Sequence, residues 1–123
     1  MTYLLDISTL LAWLNAAHTA NDDVLRWEKG KAIAVCPLTE LGFLRVSCNA
    51  YGANLPDARE ALARWKTKRQ PKWLACDIPT GEGTPAPTWK QTTDFYLANL
   101  AGRHGMKLAT LDAHLAHPAA EKI

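Results

Sequence analysis

Asp94-Phe-Tyr-Leu-Ala-Asn-Leu-Ala-Gly-Arg-His-Gly-Met-Lys-Leu-Ala-Thr-Leu-Asp112 is the stretch on which the reading of this chain turns. Phe95, Tyr96, Leu97, Ala98, Leu100 and Ala101 make almost every face of a helix apolar. Asn99 and Arg103, spaced i and i+4, leave only a narrow polar stripe. Such a helix belongs in the middle of a fold. Thr92 or Thr93 can cap its start, which puts Asp94 in the first turn. Gly105 supplies the left-handed residue that ends it. Met106 to Thr110 reads as a strand buried on both faces, and Asp112 leaves that strand at its C-terminal end. Two carboxylates are therefore attached to the most buried part of the chain.

Working outward, the same pattern recurs. Tyr3-Leu4-Leu5 is a short apolar run that ends at Asp6, and Ser8 or Thr9 can cap a helix through Leu10, Leu11, Trp13 and Leu14. Asp22 can cap a second helix carrying Val24, Leu25 and Trp27, closed by Gly30. Lys31 to Cys36 is the next strand; Pro37 stops it, Thr39 caps a third helix running towards Asn49, and Glu40 lies in its first turn. Pro56 opens a fourth helix, with Ala58, Ala61, Leu62 and Trp65 on one apolar stripe. Trp73 to Cys76 is a short strand. Ile78 to Trp89 is an irregular loop rich in Pro and Gly. A short helical tail, Ala113 to Ala116, follows Asp112.

Strands alternating with helices predict one α/β domain spanning residues 1–123, with a mostly parallel sheet flanked by helices. Right-handed crossovers put the turns after the strands along one edge, where ligands bind in such sheets. Asp6, Glu40 and Asp112 leave strands at that edge, and Asp94 starts the helix beside it.

Composition narrows the alternatives. Of 123 residues 48% are apolar and the net charge is +2, so the chain is globular, and its charge alone does not mark a nucleic-acid binder. Cys36, Cys48 and Cys76 are odd in number and form no CxxC pattern, which predicts core thiols in a reducing cytoplasm. Asp6 interrupts the N-terminal apolar residues, and no basic stretch precedes them, against a signal peptide. No apolar run is long enough to span a bilayer.

Carboxylates gathered in one crevice repel each other unless a cation compensates them. Hard oxygen donors without paired histidines or cysteines favour Mg²⁺ or Mn²⁺ over zinc. The chemistry implied is metal-assisted phosphodiester hydrolysis. Taken singly, Asp6, Glu40 and Asp94 also fit helix caps or first-turn acids, and Asp112 fits the cap of the tail helix. Their joint placement is the signal.

The segments Leu4-Leu5-Asp6-Ile7-Ser8, Pro37-Leu38-Thr39-Glu40, Thr93-Asp94-Phe95-Tyr96-Leu97 and Leu108-Ala109-Thr110-Leu111-Asp112 resemble, in order and context, those of the PIN domain. More narrowly, the chain is similar to the VapC toxins of bacterial toxin–antitoxin pairs, over nearly its whole length. The resemblance implies that Asp6, Glu40, Asp94 and Asp112 are metal-binding acids, supported by Ser8 and Thr110. It implies a Mg²⁺- or Mn²⁺-dependent endoribonuclease, acting as a homodimer and held inactive by a VapB-type antitoxin. Ala113 and His114 stand where many relatives carry a further acid or Asn, and Asn99 replaces the usual apolar residue of its helix. The alternative is a non-catalytic PIN-like module that binds RNA or protein and whose acids cap helices.

Arg59 to Lys72 carries six basic residues. On the ribonuclease reading, Arg64, Lys68 and Arg69, with Arg45, are the candidate RNA-phosphate contacts. Trp13, Trp27 and Trp65 fit core stripes, Trp89 is expected to pack, and His114 and His117 are expected to be solvated.

Overall fold

The computed structural model describes residues Met1–Ile123. Five strands form one all-parallel sheet in the order β3-β2-β1-β4-β5. They are β1 (Thr2–Leu5), β2 (Ala32–Val35), β3 (Lys72–Trp73), β4 (Lys107–Thr110) and β5 (Ala120–Lys122). The helices are α1 (Ile7–Leu14), α2 (Asn21–Trp27), α3 (Pro37–Tyr51), α4 (Leu55–Arg69) and α5 (Thr92–Arg103). The α/β class and the parallel sheet flanked by helices are as expected.

The strands are short, so the alternation of their side chains decides what each face can hold. Leu4, Ala34 and Leu108 turn to one face and pack with Leu97, Leu100 and Ala101 of α5. Leu5, Ile33, Val35 and Ala109 turn to the other and pack with Leu10, Phe43, Leu62 and Trp65, which come from α1, α3 and α4. Leu100 and Leu97 are fully buried, and removing such a side chain to Ala typically costs about 2–5 kcal/mol.

Several helix starts differ from the sequence reading. Asp6 itself caps α1, its carboxylate accepting from the Thr9 amide, where Ser8 or Thr9 was the expected cap. Pro37 begins α3 instead of preceding it, because proline's missing N–H costs nothing in a first turn. Thr39 is consequently inside the helix and fully buried, and its hydroxyl donates to the Leu5 carbonyl at 2.8 Å. Asn54 caps α4, which puts Pro56 in its first turn. Asp22 lies in the first turn of α2, beyond an Ala20 cap that makes no side-chain bond. Gly105 has a φ of +68°, the left-handed conformation expected after α5.

The tail helix does not form. Residues 113–116 turn back, and Ala120–Lys122 adds a fifth strand beside β4, the Ile123 amide donating to the Thr110 carbonyl at 2.9 Å. Strand β3 is shorter and earlier than Trp73 to Cys76. Trp89 is not packed but 79% exposed, on the 3-10 turn Trp89–Gln91 that leads into α5.

Asn99 has a clear task. Its Oδ1 accepts from the Thr84 amide at 3.0 Å, and its Nδ2 donates to the Thr84 and Glu82 carbonyls at 3.0 and 3.3 Å. His117, half-buried and not solvated, meets the same Oδ1 through Nε2 at 2.8 Å and accepts from the Ala119 amide through Nδ1 at 3.0 Å. One amide therefore ties the irregular loop, α5 and the C-terminal segment together. The loop takes this path because Gly83 has a φ of +84°, and a Cβ there would stand 2.5 Å from the Asn99 amide carbon.

Asn99→Leu should lower stability by about 1 kcal/mol through loss of these exposed bonds, the typical net contribution of an intramolecular hydrogen bond. Amide hydrogen exchange should show Thr84 losing protection while Leu100 keeps it. Unchanged protection at Thr84 would mean the loop holds itself.

Candidate active site

Strand β1 lies between β2 and β4, and the chain reverses its direction of sheet growth there. A parallel sheet opens a crevice at such a point, beyond the strand C-termini. Three aspartates reach it from three elements. Asp6 follows β1. Its amide donates to the Ala109 carbonyl at 3.2 Å, so the β1–β4 ladder, with Leu5 opposite Ala109, carries it beside the end of β4. The Thr9 hydroxyl donates to the same carbonyl at 3.0 Å. Asp6 is 2% exposed, and Oδ1 takes both of its bonds, from Ser8 Oγ at 2.9 Å and the Thr9 amide at 2.8 Å. That leaves Oδ2 for a ligand.

Asp112 follows β4. Thr110 Oγ1 accepts from the Asp112 amide at 3.0 Å, and Asp112 Oδ1 accepts from the His114 amide at 2.8 Å. Thr110 is itself buried, so this turn is fixed from below. Asp94 enters from the first turn of α5. Burial pushes its carboxyl up to about 6, and the neighbouring charges of Asp6 and Asp112 push in the same direction. The three aspartates thus share one negative, partly desolvated space.

Glu40 is not among the charges pressing on Asp94. Lys66 of α4 stands 2.8 Å from Glu40 Oε2. This ion pair compensates the buried Glu40 oxygen. The Lys66 ammonium also lies 5.1 Å from the Trp73 ring.

The donor set suits a hard cation: carboxylate oxygens, with Asp6 Oδ2 left without a hydrogen bond and Asp94 raised by burial and by the charges beside it. No group of three or more His, Cys, Asp or Glu side chains is drawn in around a common centre. Uncompensated carboxylates at Coulombic range are expected to stay apart in that way.

The basic helix divides. Arg64 and Lys68 are exposed on α4. Arg69 is engaged in the fold: Nε meets Glu28 Oε2 at 3.0 Å, Nη2 donates to the Lys31 carbonyl at 2.6 Å, and its guanidinium lies 5.7 Å from the Trp13 ring. Arg69 thereby ties α4 to the α2–β2 turn, with its guanidinium already bonded within the fold. Arg45 is exposed and lines a shallow depression with Ile7 and Gly42, on the residue next to Asp6. Sequence reasoning missed the structural roles of Thr39 and Lys66. A threonine beside a glutamate and a lysine four residues after Leu62 carry no signal that would have found them.

No protein-family model matches the chain. Among curated proteins it is 34% identical over 119 residues to ribonuclease VapC38 of Mycobacterium tuberculosis, covering 89% of this chain and 84% of that protein. It is 34% identical over 121 residues to ribonuclease VapC29 of the same organism, covering 95% and 90%. This chain belongs to the VapC ribonuclease family. Ribonuclease VapC39, 31% identical over 133 residues, extends the match to 97% of the chain. The VapC likeness therefore runs through all the elements that carry the acids.

The charge in this VapC site has a stability consequence. Asp94 is raised above its ordinary value of 3.8. Its protonated form contributes stability that is full below pH 3.8 and is lost as the pH rises through about 6. In EDTA at pH 7, Asp94→Asn should therefore be more stable than wild type, by about 1–2 kcal/mol after discounting for solvent screening. Paired thermal melts at pH 7 and pH 4 should show the gain shrinking at the lower pH. A variant less stable than wild type at both would show that the carboxylate is needed for the fold.

Proposed function

We propose that this chain is a metal-dependent endoribonuclease, the toxin of a VapBC-type toxin–antitoxin pair acting on RNA in the cytoplasm. The observation that carries the reading is that Asp94, lifted to about 6 first by burial, is pushed in the same direction by the charges of Asp6 and Asp112 at the β1–β4 crevice. Family membership supplies the reaction class. Asp6, Asp94 and Asp112 would hold Mg²⁺ or Mn²⁺, and Glu40 is the fourth acid of the set, its charge balanced by Lys66.

When bound, such an ion supplies Lewis-acid polarisation of a phosphoryl oxygen and acidifies water. The residues do the positioning. Ser8 and the Thr9 amide fix one oxygen of Asp6 and so aim the other. Thr110 sets the turn that presents Asp112. The first turn of α5 presents Asp94. Water attacks phosphorus and the ribose 3′-oxygen leaves, so the fragments carry 5′-phosphates. Exposed Arg64 and Lys68, with Arg45, would contact the RNA backbone. A homodimer, a VapB-type antitoxin and a single PIN domain over residues 1–123 belong to the same reading.

Incubation of the purified chain with total cellular RNA in Mg²⁺ or Mn²⁺ should give discrete fragments. EDTA, Asp6→Asn and Asp94→Asn should each reduce cleavage by about a hundredfold or more, since loss of even an outer-shell partner of a metal ligand costs ~10–100-fold. Fragments ending in 2′,3′-cyclic phosphate would contradict water attack, and a folded wild type that cleaves nothing in either metal would favour a binding module. With the inactive Asp94→Asn protein as background, Arg64→Ala or Lys68→Ala should lower the salt slope of RNA binding by about 0.7 per lost phosphate contact on single strands. Arg69→Ala should instead lower the melting temperature.

A further inference from the structure

The sheet brings two cysteines together that the sequence keeps far apart. Val35 pairs with Trp73, and the Leu74 amide donates to the Val35 carbonyl at 2.9 Å. Cys36 is the next residue after Val35 and is fully buried. Cys76 comes two after Leu74, in an exposed turn where the Asp77 amide donates to the Ala75 carbonyl at 3.0 Å. The two sulfurs are close neighbours, and a charge on Cys76 opposes one on Cys36. The Tyr96 hydroxyl donates to the Ile78 carbonyl at 2.9 Å and so fastens the chain just after this turn to α5.

Access differs between them. Cys76 lines a cleft of about 550 Å³ with Pro37, Leu38 and Tyr96, open to a small oxidant. Cys36 sits beneath it, its Sγ 3.4 Å from Thr39 Oγ1. Oxidation is selective for exposed thiols, and a resolving thiol beside one diverts it to a disulfide.

We propose that Cys36 and Cys76 form a peroxide-sensitive dithiol that closes to an intramolecular disulfide. The Cys76 thiol gives up its proton, its thiolate attacks one oxygen of hydrogen peroxide, the O–O bond breaks, and the other oxygen leaves as hydroxide that takes up that proton as water, giving a sulfenic acid. The Cys36 sulfur then attacks the Cys76 sulfur. The S–O bond breaks, the S–S bond forms, and the departing hydroxyl takes up the Cys36 proton as a second water. The two sulfurs give up two electrons in all, and the peroxide accepts both. Burial holds the Cys36 thiol above its ordinary range, which suits it to the second step rather than the first.

The link has a place to act. Cys36 is the N-cap of α3, whose first turn holds Glu40, and the hydroxyl of Thr39 beside it bonds the Leu5 carbonyl next to Asp6. Closure therefore tethers the start of α3 to the turn at residues 75–77.

The test is thiol counting on the reduced, desalted protein before and after a brief exposure to hydrogen peroxide, with alkylation in denaturant and peptide mass spectrometry. Alkylatable thiols should fall from the chain's three to one, Cys48, with a linked Cys36–Cys76 peptide pair, and a dithiol reductant should restore all three. Cys48→Ser should still form the link. Cys76→Ser, a surface change that leaves the buried partner in place, should abolish it. The proposal is overturned if Cys76 advances to sulfinic acid while Cys36 stays alkylatable, if the link contains Cys48 or joins two chains, or if no thiol is lost. This readout does not depend on any ribonuclease activity.

Discussion

The structure rests on the pairing of β1 with β4. These two strands are far apart in sequence, and their ladder alone brings the residue after Leu5 beside the end of the strand that precedes Asp112. The Ala109 carbonyl takes bonds from both the Asp6 amide and the Thr9 hydroxyl, so the start of α1 is fastened to β4. The Leu5 carbonyl takes the Thr39 hydroxyl, which fastens α3 to the same point. Three elements are thus registered at one spot by buried hydrogen bonds. A one-residue slip of β1 would exchange Leu4 and Leu5 between the two cores and withdraw Asp6 from the crevice.

The second constraint is electrostatic. Packing delivers the acids, and their charges resist delivery. Asp6 meets part of this cost by capping α1, so the cap and ligand readings of that residue are compatible: one oxygen serves the helix and the other remains. Asp94 has no such relief and stays raised. Glu40 is relieved by Lys66, an ammonium with which a phosphate group would compete. A site that is unfavourable for its own fold without a counter-charge is suited to bind one, whether a cation or the basic end of a protein partner.

Much of this was legible in the chain. The apolar helix at 95–101, the left-handed Gly105 and the buried strand after it fix the centre of the fold, and the acids after Leu5 and Leu111 follow from the repeated strand-turn-helix units. What stayed hidden depends on tertiary partners. Pro37 looks like a strand terminator but serves equally as a first-turn residue, and only the packing of α3 decides. Residues 113–116 have helical composition, yet the open edge of β4 recruits 120–122 as a strand and unwinds them. Asn99 breaks an apolar pattern because its partners, Glu82, Thr84 and His117, lie in segments with no regular structure. Arg69 reads as one charge in a basic run, and its burial against Glu28 and Trp13 is visible only once α4 is docked.

The central claim is that Asp6, Asp94 and Asp112 share one divalent cation. It is tested most directly by anomalous diffraction from crystals grown or soaked in Mn²⁺. The account predicts one strong peak beyond the C-termini of β1 and β4, with carboxylate oxygens of all three aspartates at about 2.0–2.2 Å, the range of small hard cations. A saturating soak that leaves this crevice without a peak, or places the ion on other residues, would contradict it.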